Sequence, residues 1–261
     1  MCTIWHKLNK KFKNAESRED KLNLLYQEGK IYVMDNHLAA GWCWYHTLKK
    51  DEEYNFCHID QHDDLANDNH EHVRELFSKN KYVSLENYID LHHKQSPKIV
   101  LPPIKVIRWD NYILHFKAIH PKWFNKETYA CHDFVSGERC SLTGEQPTEN
   151  SFDFDLGTIQ VPIHPDNIKC YDLHHSLAEK LNDNEDRLWI VNFDIDYFFH
   201  EKCQLFSNEY IDAVCDQINQ AMDKIAVLTI ALSPECCYGW DNSIRVYNQI
   251  AKRLSINMLL E

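Results

Sequence analysis

The chain has 261 residues, 44% apolar and 12% aromatic, enough to fill a substantial core and too apolar for a disordered segment. Its 28 Lys and Arg against 40 Asp and Glu leave a formal net charge of −12. A phosphate-backbone binder needs a clustered basic excess, so no nucleic acid is expected as a partner. No apolar run is long enough to span a bilayer, and the basic first 13 residues lead into neither a hydrophobic segment nor a cleavage site. No membrane partner and a cytoplasmic location are therefore expected.

In chain order, the first buried strand is predicted at Ile31 to Met34, ending in Asp35-Asn36-His37. Trp42, Trp44 and Tyr45 follow on an apparent helix and read as core packing. A second strand, Tyr54 to Ile59, runs into Asp60-Gln61-His62-Asp63-Asp64, and His70-Glu71-His72 beyond it reads as a solvated loop. A third is predicted at Ile104 to Ile107. The stretch from Phe116 to Asn167, rich in Pro, Asn, Asp, Glu and Thr, reads as an excursion of loops and short strands. A fourth strand, Leu188 to Phe193, runs into Asp194-Ile195-Asp196. From Glu209 to Lys224, apolar residues spaced by three or four predict a helix capped by Ser207 or Asn208. The last strand is Ile225 to Leu232, and Tyr247, Ile250, Ala251 and Leu254 mark a helix near the C-terminus. Strand runs apolar on both faces, alternating with helices, predict a layered α/β fold with a mostly parallel sheet. With only 6 Gly and 8 Pro, no repeat and no low-complexity linker, one domain over 1–261 is expected.

In such sheets ligands gather at the carboxyl ends of the strands. Asp60, His62 and Asp64 alternate, so an extended backbone would aim them at one point, and Asp194 and Asp196 repeat the device. Bare carboxylates that close inside an apolar sheet would cost several kcal/mol per ion, and a divalent cation neutralises them. Oxygen-rich ligands with two imidazoles and no thiolate suit manganese first, with iron or zinc behind. The ten cysteines include no CxxC pair and read as reduced packing residues; Cys236 and Cys237 have no neighbouring base to activate a thiolate.

His37, then Asp60-x-His62-x-Asp64, then Asp194-x-Asp196 resemble the ordered ligand set of the ureohydrolase superfamily of arginases and agmatinases. The strings FCHIDQHDDL, SLENYI and NFDIDYFF resemble, more narrowly, a family whose bacterial members include peptide arginases. The resemblance implies a three-layer α/β/α fold, two Mn²⁺ ions, and conversion of arginine side chains in a ribosomally made precursor peptide to ornithine and urea. Asp60 and Asp194 would bridge the ions, His37 and Asp64 would complete one, and His62 and Asp196 the other. A hydroxide held between them would attack the guanidinium carbon. Glu235 resembles the arginase glutamate that pairs with the guanidinium, and a bidentate carboxylate suits that task.

For the proton shuttle this chain departs from the arginase pattern. His115, His92 and His93 are the candidates, and Asn87 in SLENYI is a candidate substrate contact. Alternatives stay open: an arginase or agmatinase on a free guanidino substrate, a single-zinc deacetylase-like hydrolase, or a non-catalytic, metal-containing peptide-binding protein. The chain is also compatible with a homo-oligomer.

Overall fold

A computed structural model describes residues 3–6, 16–17, 21–66, 68–80, 83–93, 104–131, 173–182, 186–200 and 203–261. Its strands are β1 (Thr3–His6), β2 (Leu25–Glu28), β3 (Ile31–Met34), β4 (Asn55–Asp60), β5 (Glu127–Cys131), β6 (Trp189–Asp194), β7 (Phe199–His200), β8 (Cys203–Gln204) and β9 (Ile225–Ala231). Seven of them form one sheet in the order β1-β2-β3-β9-β6-β4-β5. The five strands from β3 to β5 run parallel, while β2 and β1 extend one edge antiparallel. β7 and β8 pair separately as a short ribbon.

Side-chain alternation divides the sheet's two faces between two helical layers. Cys57 and Ile59 of β4, Val191 and Phe193 of β6, and Leu228 and Ile230 of β9 pack with α5 (Leu173–Leu181), α6 (Asn208–Gln220) and α7 (Trp240–Arg253). Tyr32, Met34, Phe56, Ile190, Val227 and Ala231 face the other way, towards α1 (Ala40–Thr47), α2 (Glu71–Lys79), α3 (Leu85–Ile89) and α4 (Tyr112–Ile119). Helix α1 is buried from Ala40 through Tyr45, so its tryptophans are core, as expected. At Gly41 a Cβ would lie 2.1 Å from a ring carbon of Phe116, so α1 and α4 meet where only glycine fits. The fold is α/β with a mostly parallel central sheet between helices. Among the described residues, no helix is long and apolar enough to cross a membrane.

Three expectations are corrected. Ile104 to Ile107 is no strand of the sheet; a single bridge joins Lys105 to His92. The Val106 carbonyl accepts instead from Asn111 Nδ2 and His115 Nε2, both at 3.0 Å, so side chains take the place of a strand partner. His70-Glu71-His72 is the start of α2, with the His70 ring against His115, because His70 is drawn into contact with α4. Of the expected excursion, 116–131 holds the end of α4, a 3₁₀ turn at Pro121–Phe124 and edge strand β5; the apolar Tyr129, Ala130 and Cys131 are buried beside β4. The rest, 132–167, lies outside the described residues.

Candidate metal centre

Strands β3, β6 and β4 end at one edge of the sheet, with β9 ending between β3 and β6. Each end is closed by a short polar cap. After β3, Asn36 Oδ1 accepts from Leu38 N at 2.9 Å and starts a 3₁₀ turn, His37–Ala39, which buries His37. After β6, Asp194 Oδ1 accepts from Asp196 N at 2.9 Å and starts another, Ile195–Phe198. After β4, Asp60 Oδ1 accepts from His62 N at 2.7 Å. The triplet is thus gathered by a turn that begins at Asp60 and not by a continuing strand, because capping the free N–H of His62 bends the chain. Asp64 completes the bend in a left-handed conformation (φ 51°), which an aspartate tolerates better than most residues. Asp60, Asp194, Asp196 and His37 are buried.

The six residues converge. His37 Nδ1 lies 3.0 Å from Asp64 Oδ2, 3.4 Å from Asp60 Oδ2 and 3.6 Å from Asp194 Oδ2. His62 Nδ1 lies 3.2 Å from Asp196 Oδ2 and 3.5 Å from Asp60 Oδ1. Asp60 therefore offers one oxygen to each imidazole. A single ring N–H cannot hydrogen-bond three carboxylates, yet ligands held at about 2.1 Å from a cation lie roughly 3.0–3.4 Å apart along the edges of its coordination shell. The imidazole-carboxylate spacings cluster around that range, and the donor set of four carboxylates and two imidazoles, buried but for His62 and Asp64, fits a pair of divalent cations. The site is compatible with a dinuclear metal hydrolase.

The electrostatics show what the protein bears without such ions. Burial, then the neighbouring Asp196, Asp64 and Asp194 carboxylates, push Asp60 well above the ordinary range. Burial and Asp196 raise Asp194 to about 8. Burial raises Asp64 too, against the pull of His37. Burial would raise Asp196, but His62 outweighs it and Asp196 falls below the ordinary range. Burial would depress both imidazoles; the carboxylates win, lifting His37 and taking His62 to about 12.

One imidazole missed by the sequence reading lies under this group. His58, fully buried, extends the alternation one step back along β4, to His58-x-Asp60-x-His62-x-Asp64. That pattern is visible in the sequence. Its Nδ1 faces Asn192 Nδ2 at 2.9 Å, and its Nε2 lies 3.2 Å from the His62 carbonyl and 3.5 Å from Asp60 Oδ2. With Asn192 donating to Nδ1, the ring proton sits on Nε2 and points at the His62 carbonyl. Asn192 also donates to Tyr112 Oη (2.8 Å), lies 3.4 Å from His37 Nε2, and accepts from Thr229 Oγ1 at 2.8 Å. His58, Asn192 and Thr229 are opposite one another across β4, β6 and β9, a polar row in an otherwise apolar layer.

The other candidates are placed differently. Glu235 is exposed in the turn after β9; partial shielding raises its pKa, with the Asp35 charge adding, against hydrogen bonds from its own backbone and from Ser17. His115 is buried on α4 with Nε2 3.0 Å from the Val106 carbonyl and Nδ1 2.9 Å from His70 Nδ1, and burial takes it down to about 4. Its ring nitrogens face those partners and none of the six. His92 bridges Lys105, and His93 Nε2 is 3.0 Å from Asp68 Oδ2. Asn87 is exposed on α3, its backbone N–H bonded to Ser84 Oγ. A residue not proposed as a ligand, Cys236, comes within 4.8 Å of His62 and Asp196 by its sulfur; the backbone reversal after β9 that brings it there leaves no signature in sequence spacing.

No protein-family model matches the chain, and no curated protein matches it. Among solved structures, Entamoeba histolytica arginase in complex with L-ornithine is similar at a TM-score of 0.47 and 13% identity, over 86% of this chain and 68% of that one.

Proposed function

We propose that the protein is a dinuclear metal-dependent amidinohydrolase that converts arginine side chains of a peptide to ornithine, releasing urea. The observation that carries this reading is the division of Asp60 between two imidazoles, Oδ2 towards His37 and Oδ1 towards His62, with three further carboxylates closing the two halves. The ligand order along the sequence, which resembles that of the arginases, supports the reaction class. A pair of divalent cations bound there would bring a shared water close to neutral pKa and set it against the guanidinium carbon.

The residues themselves determine the approach. The His37 side chain is 2% exposed and that of Asp60 1%, whereas that of His62 is 32% exposed, so the centre opens on the His62 side. Glu235, on the exposed turn after β9, takes the cationic planar group through two parallel N–H···O bonds and holds it in orientation. Asn192 and His58 keep the imidazoles and the His62 carbonyl in place from beneath. The net charge of −12 favours a cationic polypeptide as the partner.

The test is to load the protein with Mn²⁺, measure ions per chain, and assay urea from an arginine-containing peptide and from free arginine. Two ions per chain, urea from the peptide and a loss of one CN₂H₂ unit per arginine are expected. Urea from free arginine alone would replace the peptide substrate by a small one; no urea from either, with both ions bound, would end the proposal.

A further inference from the structure

The turn after β9 treats its two adjacent thiols differently. The backbone N–H groups of Cys236 and Cys237 both donate to the Ser233 carbonyl at 3.0 Å, and Gly239 N donates to the Pro234 carbonyl at 2.7 Å. Ser233 (φ 39°), Tyr238 (φ 60°) and Gly239 (φ 121°) carry the reversals that make so tight a coil. Cys237 ends buried, its Sγ–H directed at the Leu232 carbonyl at 3.4 Å, and Asn242 Nδ2 pins its own carbonyl at 3.1 Å. Cys236 is half-buried, and its thiol makes no hydrogen bond among the described residues. Its Sγ, a nitrogen of His62 and an oxygen of Asp196 all lie within 4.8 Å of one another. Two of these donors already face each other at 3.2 Å. The third is carried by the turn after β9 and groups with His62 and Asp196, whereas His37 groups with Asp60 and Asp194.

We propose that Cys236 Sγ is a thiolate ligand of the second cation, together with His62 and Asp196. The inference rests on the reading that the six residues hold two divalent cations, and it adds a ligand that the sequence pattern does not contain. On binding, the Cys236 S–H bond breaks heterolytically: the electron pair stays on sulfur and forms the sulfur–metal bond, and the proton leaves to solvent, with no change in oxidation state. The two positions then differ in chemistry. The first, with His37, Asp60, Asp64 and Asp194, is oxygen-rich and suits a hard ion. The second, with nitrogen, oxygen and sulfur, favours zinc, iron(II) or cobalt(II) over manganese.

Cobalt(II) is the probe. Wild-type protein loaded with two equivalents should show a sulfur-to-cobalt charge-transfer band in the near ultraviolet. Cys236→Ser should lose that band, and Cys237→Ser should keep it. Zinc affinity of the second position should fall in Cys236→Ser by at least about tenfold, with a smaller change for manganese, since even an outer-shell partner is worth roughly 10- to 100-fold. X-ray absorption at the zinc edge of the wild type should find one sulfur at about 2.3 Å, which reads the ligand without any substitution. Two cobalt ions per chain without the band, or a band that survives in Cys236→Ser, would overturn the thiolate ligand and leave the metal pair standing. A wild type that takes up no cobalt at all would overturn the pair and the thiolate together.

Discussion

Replacing Asp194 by Asn should make the protein more stable when metal is withheld and less responsive when it is supplied. Asp194 is buried, and burial together with Asp196 raises its pKa from the ordinary 3.8 to about 8. At pH 7 the unfolded chain releases this proton and the folded protein keeps it. Over the interval from 3.8 to 7, at 1.36 kcal/mol per pH unit, that costs about 4 kcal/mol of stability. Any folded value above 7 gives nearly the same figure. An amide carries no such cost and preserves the contacts: its oxygen accepts from Asp196 N as Oδ1 does at 2.9 Å, and its nitrogen donates to Ser233 Oγ, which now donates to the carboxylate. The sign follows from proton counting. The native state binds the extra proton between pH 3.8 and 8, so the cost is absent below 3.8 and grows as pH rises through that window. Urea unfolding in chelator should therefore show Asp194→Asn ahead by about 4 kcal/mol at pH 7 and by almost nothing near pH 4. With cation at 100 times its Kd, the wild type should recover about 2.7 kcal/mol and the variant much less. A variant less stable than wild type in chelator at pH 7, or an advantage independent of pH, would refute the reasoning.

Asp196→Ala should lose one of the two bound ions and nearly all turnover while retaining the circular dichroism of the wild type; near wild-type urea release would defeat the ligand assignment. His115→Gln should flatten acid unfolding. Burial and His70, with Arg108 adding and Asp68 opposing, hold His115 near 4, so the unfolded chain binds its proton first. Wild type should lose about 3 kcal/mol more than the variant between pH 6.5 and 4, the stability being complete above 6.5. Gly41→Ala drives a Cβ into the Phe116 ring and should cost at least about 2 kcal/mol by thermal unfolding, partly restored by Phe116→Leu in the same chain. Glu235→Gln should raise KM for the arginine peptide about tenfold, the worth of a charge-assisted hydrogen bond, and leave metal content unchanged.

The central strands were legible because a parallel strand buried on both faces must be an apolar run, and β3, β4, β6 and β9 lie within a residue of the predicted spans. The six ligand candidates were legible because two acidic alternations and an isolated His, each at the end of a predicted strand, form a pattern that independent turn residues would not repeat, and they converge. What escaped had weaker patterns. Strand β2 is four residues long and half-buried towards its end, and β5 carries Glu127 and Thr128 among its apolar residues, so neither shows a clean period. Val106 and Ile107 are as apolar as any strand, but the side chains of Asn111 and His115 occupy the Val106 carbonyl. Cys236 reaches the centre through the left-handed backbone at Ser233, just past the end of β9, and spacing rules assume a chain without such a reversal.

The level at which His58, Asn192 and Thr229 meet has a consequence for any attempt to redesign the interior. Each depends on another for its partner, so exchanging one for an aliphatic residue strands the next, and the damage exceeds the loss of a single contact. Exchanging all three at once ends their dependence on one another, and leaves the groups they serve outside the row, among them the Tyr112 hydroxyl, Trp44 Nε1 and the His62 carbonyl, to find other partners. Such a triple replacement would keep the architecture and remove the floor on which the imidazoles stand, separating what this protein needs in order to fold from what it needs in order to aim.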